Sequence, residues 1–204
     1  MPSAPAYRRL DVDERRRRLL VQGAELFSRH AYADLSMAAI AREAGISKAL
    51  LYHYFPSKQA FFVATLEQQA ADLAARVDDV DPALPPAAQL EAALDAFLGW
   101  VEDHAEGYGK LLVGAATHPE VRELVEGVRQ QTAERILAGL APDPAPPAVR
   151  AAVRGWLWFM DGVLADWLEH RDIDRDALRG LLLGTLLGAV TAAGETPRES
   201  PDAV

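Results

Sequence analysis

Residues 35–58 read LSMAAIAREAGISKALLYHYFPSK, and the punctuation of this stretch decides the fold. Ser36, Ser47 and Ser57 each precede a helical pattern, where a Ser hydroxyl accepts from the open amides of the first turn. Leu35 with Ile40, Ile46 with Leu51, and Pro56 with Phe61 repeat the spacing of a hydrophobic staple three times. Gly45 stands where a helix ends in a left-handed residue. The stretch therefore predicts two short helices, 36–44 and 47–55, held at a fixed angle by a tight glycine turn. That is a helix-turn-helix.

The second of these helices is unusually polar for one that only packs. At about 100° per residue, and with Leu51 pointing inward, Phe55 lies about 40° away and Ala49 and His53 point nearly opposite. Such a helix buries Leu51 and Phe55 and offers Lys48, Ala49, Leu50, Tyr52 and His53 to a DNA major groove. Lys48 reaches a guanine edge or a phosphate, Ala49 lets the backbone approach, Leu50 suits a thymine methyl, and His53 suits a base edge. Tyr54 and Lys58 suit phosphates, Lys58 from the start of the next helix. The competing readings are a solvated His53, and Tyr52 and Tyr54 as half-buried packing residues.

Charge distribution agrees with a head that meets a polyanion. The 204-residue chain carries a net charge of −9, yet residues 1–60 hold ten Lys/Arg against six Asp/Glu, while the remainder holds eleven against twenty-four. A basic head on an acidic body is what remains when only the head faces nucleic acid. Arg15–Arg18 contribute to it, as a solvated face or by general electrostatic steering. Chance is the plain alternative.

Composition favours helices throughout, because Ala and Leu dominate and β-branched residues are sparse. The absence of Cys excludes disulfides, thiolate metal sites and thiol nucleophiles, and it fits a reducing cytoplasm. No signal peptide is expected, and the apolar run LLLGTLLGAV at 181–190 is too short for a membrane span and reads as a buried helix. No catalytic motif or metal-ligand spacing is present, so no enzyme, metal or cofactor is expected.

Working outward, residues 1–10 read as a mobile arm, and a first helix covers 11–30. After the motif, helices are expected over 58–77, 87–104, 108–116, 119–140, 147–170 and 174–193, with loops at 78–86 and 141–148 and a frayed tail. The result is an all-α protein of about nine helices. A DNA-binding domain spans 12–72, with the motif at 35–54, and a second helical domain spans 73–204.

The motif resembles that of TetR-family transcriptional regulators, through Gly45, Ser47, Leu51, Tyr52, Phe55, Pro56 and Lys58 together. ERRRRLLVQGAELFSRHAYADLS at 14–36 is similar to that family's first helix. The resemblance implies phosphate contacts from Ser36, Tyr52, Tyr54 and Lys58, with base contacts from Lys48, Ala49, Leu50 and His53. Position 49 is commonly Gly in the family and is Ala here. Position 38, which carries a base-reading polar residue in some members, is also Ala, which leaves discrimination to 47–53. The resemblance further implies a cytoplasmic homodimer on a palindromic operator, with no membrane partner. It also implies a repressor that a small, largely apolar effector releases. The alternative is a protein-interaction or ligand-sequestering module with a vestigial head.

In the body, Gly180, Gly184 and Gly188 recur at every fourth position beside Leu178, Leu181 and Thr185. Glycine in register suggests close helix approach, either across a dimer interface that also includes Trp167, or inside one subunit. Trp100, Tyr108, Leu112, Trp156 and Phe159 border an expected apolar pocket, although simple core is the competing reading for each. Asp161 orients a ligand there or satisfies a neighbouring indole. His104, His118 and His170 are expected at helix ends.

Overall fold

The computed structural model describes residues 5–117, 119–141 and 144–194, with side chains described from residue 12 onward except 112–117. Among these residues there are nine α-helices, one 3-10 turn and no strand. The helices are α1 (Pro5–Arg29), α2 (Met37–Glu43), α3 (Lys48–Tyr54), α4 (Lys58–Asp78), α5 (Pro86–Asp103), α6 (Ala105–Thr117), α7 (Pro119–Leu140), α8 (Pro147–His170) and α9 (Arg175–Gly194). The 3-10 turn is Tyr32–Asp34. The expected helices are all present. One boundary moves: α1 is already helical at Pro5, so 5–10 is helix and not a mobile arm. Proline is tolerated in a first turn because its missing N–H has no helical partner there. His118, residues 1–4, 142–143 and the tail from 195 lie outside the described residues.

The chain divides into two compact units, Met1–Ala75 with His104–Val121, and Arg76–Asp103 with Arg122–Val204. The division does not follow a single linear boundary at 72/73, because α6 belongs to the first unit. There the Lys110 ammonium donates to the Ser28 carbonyl at the end of α1.

The first unit is built on one apolar cluster. Leu19, Leu20, Leu26 and Phe27 of α1 join Met37, Ile40 and Ala41 of α2, Leu51 of α3, Phe55, and Phe61 and Ala64 of α4. Gly23 of α1 packs closely against α4. A Cβ there would stand 2.6 Å from Phe61 Cζ and 2.7 Å from Thr65 Oγ1. Aromatic rings continue the cluster: Phe27 meets Phe62 at 4.7 Å and Phe61 meets Phe55 at 4.8 Å, both edge-on.

In the second unit α8 packs on α9, and α5 on α9. The Trp156 indole N–H donates to Leu182 O at 2.9 Å and Thr185 Oγ1 at 3.2 Å. Arg175 and Arg179 of α9 reach back to Asp95 on α5, at 2.8 Å and 2.9 Å. Helix α8 ends at Arg171, which is left-handed at φ 52 and stacks its guanidinium over the Trp167 ring. His170, in the last turn of α8, has its pKa raised, first by its hydrogen bond to the Asp166 carbonyl and then by the Asp166 carboxylate. His104 stands between α5 and α6, and its carbonyl accepts from Tyr108 N–H at 2.9 Å.

The expectation that 181–190 is a buried helix is corrected. Leu182 and Leu186 are fully buried, but Leu181 and Leu187 are each more than 40% exposed, and Gly184 and Gly188 are also exposed. By length and composition alone α9 is apolar enough to cross a membrane.

Candidate nucleic-acid interface

The three serines cap as the local sequence requires. Ser36 Oγ accepts from Ala39 N–H at 3.1 Å, Ser47 Oγ from Leu50 N–H at 3.1 Å, and Ser57 Oγ from Ala60 N–H at 3.0 Å. Each hydroxyl keeps its own hydrogen free to donate outward. The turn between α2 and α3 is a Schellman motif: Gly45 sits at φ 65, its N–H bonds to Arg42 O at 3.1 Å, and Ile46 N–H bonds to Ala41 O at 3.0 Å. Leu51 is fully buried and Phe55 nearly so. The angle and rotation of α3 are therefore fixed by a glycine turn at one end and two core side chains along one face.

That rotation leaves Lys48, Ala49, Tyr52 and His53 exposed on the opposite face, with Leu50 half-buried beside them. The Lys48 ammonium lies 5.7 Å from the Tyr52 ring centre, one turn along, a weak cation–π contact at an exposed site. The His53 ring meets Tyr54 edge-on at 5.5 Å. Tyr54 is half-buried against the core cluster, so its ring serves packing. Ser36 and Ser47 are exposed at the two helix N-termini.

Lys58 has a partner that sequence reasoning missed. Its ammonium donates to the Tyr32 carbonyl oxygen at 2.8 Å and lies 4.2 Å from the Tyr32 ring centre. The Tyr32 phenol has its pKa raised, mainly by burial and then by the Glu120 carboxylate. No local pattern signals a bond across 26 residues.

The other expected site residues fall into separate places. Trp100 and Trp156 are buried in the second unit, Trp156 with its N–H bonded to α9, while Phe159 is 41% exposed. Tyr108 is buried in the first unit, and the Leu112 side chain lies outside the described residues. Asp161 accepts from Arg129 Nε at 3.1 Å and from Arg129 Nη2, and Arg129 in turn covers the Trp158 ring at 4.0 Å. This ion pair was not anticipated. Of the expected interface residues, Leu181, Gly184 and Gly188 are exposed, Thr185 is half-buried, and Trp167 and Leu178 are buried. The last two are corrected to core: Leu178 is fully buried and Trp167 is 3% exposed within its own chain, which leaves almost no surface to give a partner. The reading of the glycines as tight packing inside one subunit is also overturned: a Cβ added at Gly180, Gly184 or Gly188 meets nothing within 4 Å.

A helix-turn-helix with a preorganised cationic and aromatic face defines a DNA-binding protein of the three-helix kind, carrying a separate helical body. Comparison with known proteins makes this specific. Residues 19–65 match the family described as bacterial regulatory proteins, tetR family, and residues 86–188 match the tetracyclin repressor-like C-terminal domain. The chain belongs to the TetR family of transcriptional regulators, and it is a DNA-binding transcriptional regulator. It is 30% identical over 177 residues to the HTH-type transcriptional activator FasR of Mycolicibacterium smegmatis, covering 83% of this chain and 80% of that one. It is 26% identical over 144 residues to the HTH-type transcriptional regulator EthR of the same organism, covering 66% of each. A tetR-family transcriptional regulator from Streptomyces coelicolor superposes with a TM-score of 0.73 at 30% identity, covering 93% of this chain and 92% of that one.

Proposed function

We propose that the protein is a cytoplasmic homodimer that represses transcription from a palindromic operator and releases it when a small, largely apolar molecule binds the helical body. The observation that carries the DNA half is the α3 face, where Lys48, Tyr52 and His53 stand exposed around a helix whose rotation is fixed by Leu51 and Phe55. Lys48, Ala49, Leu50 and His53 read bases, and Ser36, Ser47, Tyr52, Tyr54 and Lys58 hold phosphates. Lys58 does so with the two N–H bonds that Tyr32 leaves over.

The dimer half is supported by an exposed stripe on α8 and α9. Trp158 is 62% exposed, and Phe159, Leu181 and Leu187 each exceed 40%. Gly180, Gly184 and Gly188 lie along the same helix with open space beside them. Apolar knobs beside small residues suit the close approach of a second copy, which sets two recognition helices on half-sites about one DNA turn apart. Release is then a population shift: an effector that prefers a form with misplaced recognition helices weakens DNA binding by that preference and by no more.

Selecting bound duplexes from a random pool tests this reading. A palindrome with two equal half-sites supports it, and an unselected pool would remove it. Because the relative FasR is named an activator, the selected site should also be placed over and upstream of a reporter promoter. Repression only from the overlapping position fits the proposal. An interaction module with a vestigial head is not favoured, since the residues of the DNA-facing surface are intact.

A further inference from the structure

The four consecutive arginines of α1 do not occupy equivalent positions. Arg16 stands one turn before Leu20, which is buried against the core, so it projects from the face of α1 that meets the rest of the first unit. Its guanidinium carbon lies 5.3 Å from the ring centre of Phe55, the residue that closes the C-terminal end of α3. Arg18, two residues on, points elsewhere and is bonded to Glu14 at 2.8 Å. Among the described residues no carboxylate lies within ion-pair distance of Arg16. One guanidinium of the four thus lies against the end of the recognition helix, over an aromatic ring and, among the described residues, with no carboxylate partner.

We propose that Arg16 is a DNA-backbone contact that extends the footprint of the motif from α3 back onto α1. The proposal rests on the reading of α3 as a recognition helix. The chemistry matches: a guanidinium presents a fork of donors to two phosphate oxygens. Stacking on Phe55 removes part of the side-chain entropy that phosphate binding costs, because the stem is already placed. Lys48 is the first residue of α3 and Phe55 follows its last, so Lys48 and Arg16 place a cation near each end of the helix.

The test uses the full-length protein and the duplex selected for it, with affinity measured across a salt series. Each lost phosphate contact lowers the magnitude of the log K against log salt slope by about 0.9. Arg16→Gln, which keeps a stem over Phe55 and removes the charge, should lower the slope by that amount per subunit. It should weaken the selected duplex and an unrelated one by the same factor. Arg16→Lys should retain most of the slope, and Arg18→Ala should leave it unchanged. A parental slope in Arg16→Gln, or equal losses in Arg16→Gln and Arg18→Ala, overturns the proposal. A parent protein that selects no duplex overturns the recognition-helix reading instead. Should Arg16→Gln melt below the assay temperature, Arg16→Met removes the same charge with an apolar stem over Phe55, and a parental slope in it overturns the proposal.

Discussion

The Lys58 ammonium donates to the Tyr32 carbonyl at 2.8 Å while lying over the Tyr32 ring, so the first residue of α4 is tied to the 3-10 turn that leads into α2. The tie joins the two ends of the helix-turn-helix through a residue expected only to face DNA. Lys58→Ala removes both the bond and the stacking. A hydrogen bond to a charged group contributes about 1.5–3 kcal/mol when well shielded, and partial exposure here puts the expected loss near the lower end. The melting temperature should fall, and an unchanged one would show that the latch is not held in solution. Separately, binding to every duplex should weaken and the salt slope should drop by about 0.9 per subunit. A parental slope would remove Lys58 from the phosphate contacts.

His53 and Lys48 should behave differently from Lys58. His53→Ala should change the preferred base at one step of each half-site and cost about 1–3 kcal/mol on the parental sequence. Repeating the random-pool selection with the variant reads this directly. An unaltered logo would leave His53 as a solvated surface residue. Tyr52→Phe, which keeps the ring beneath Lys48 and loses the hydroxyl, should weaken all duplexes alike.

How legible was this in the sequence? The head was almost fully legible, because its signals are local: a serine cap and a glycine turn act within six residues, and the inward angle of Leu51 follows from helix geometry. The start of α1 was misread because Pro2 and Pro5 look like breakers, whereas Pro5 and the residues after it are helical. The body was less legible. Trp167 and Leu178 share helices with the exposed Trp158 and Leu181, and a sequence wheel cannot say which apolar stripe meets its own subunit. The partners of Lys58 and Asp161 lie 26 and 32 residues away, beyond any periodic pattern.

Gly23 is a strict packing requirement. A Cβ there would come within 2.6 Å of Phe61 Cζ and 2.7 Å of Thr65 Oγ1, and Phe61 is itself fully buried against Phe55 and Phe27. Overpacking of this kind costs about 1–3 kcal/mol. Gly23→Ala should therefore lower stability in denaturant titration despite the better helix propensity of alanine. A stabilised variant would mean that α1 and α4 stand further apart than described.

The Arg129–Asp161 pair is largely shielded, with side chains 14% and 16% exposed. Removing one member leaves the other's shielded charge less well compensated, Arg129 keeping Glu126 at 3.3 Å, whereas replacing both by apolar groups need cost little. Arg129→Met and Asp161→Leu should each destabilise by about 2 kcal/mol, and the double variant should recover part of that loss. Additive losses in the double variant would show that the two groups do not depend on each other.

Gly184 gives the sharpest test of the second-copy reading, because its two roles predict opposite signs. In a single chain a Cβ at this position meets nothing within 4 Å, so Gly184→Ala should stabilise an isolated protomer by about 1 kcal/mol through helix propensity alone. If α9 instead packs against its copy at this glycine, added bulk must push the two helices apart. Gly184→Leu should then shift sedimentation from dimer to monomer at micromolar concentration, with helix content by circular dichroism unchanged. Trp158→Ala, which removes a knob and adds no bulk, should weaken the dimer without blocking it. Operator affinity should fall in the same order as dimer affinity, since each half-site holds one recognition helix. A Gly184→Leu protein that stays dimeric places the interface elsewhere, even though α9 exposes its leucines there.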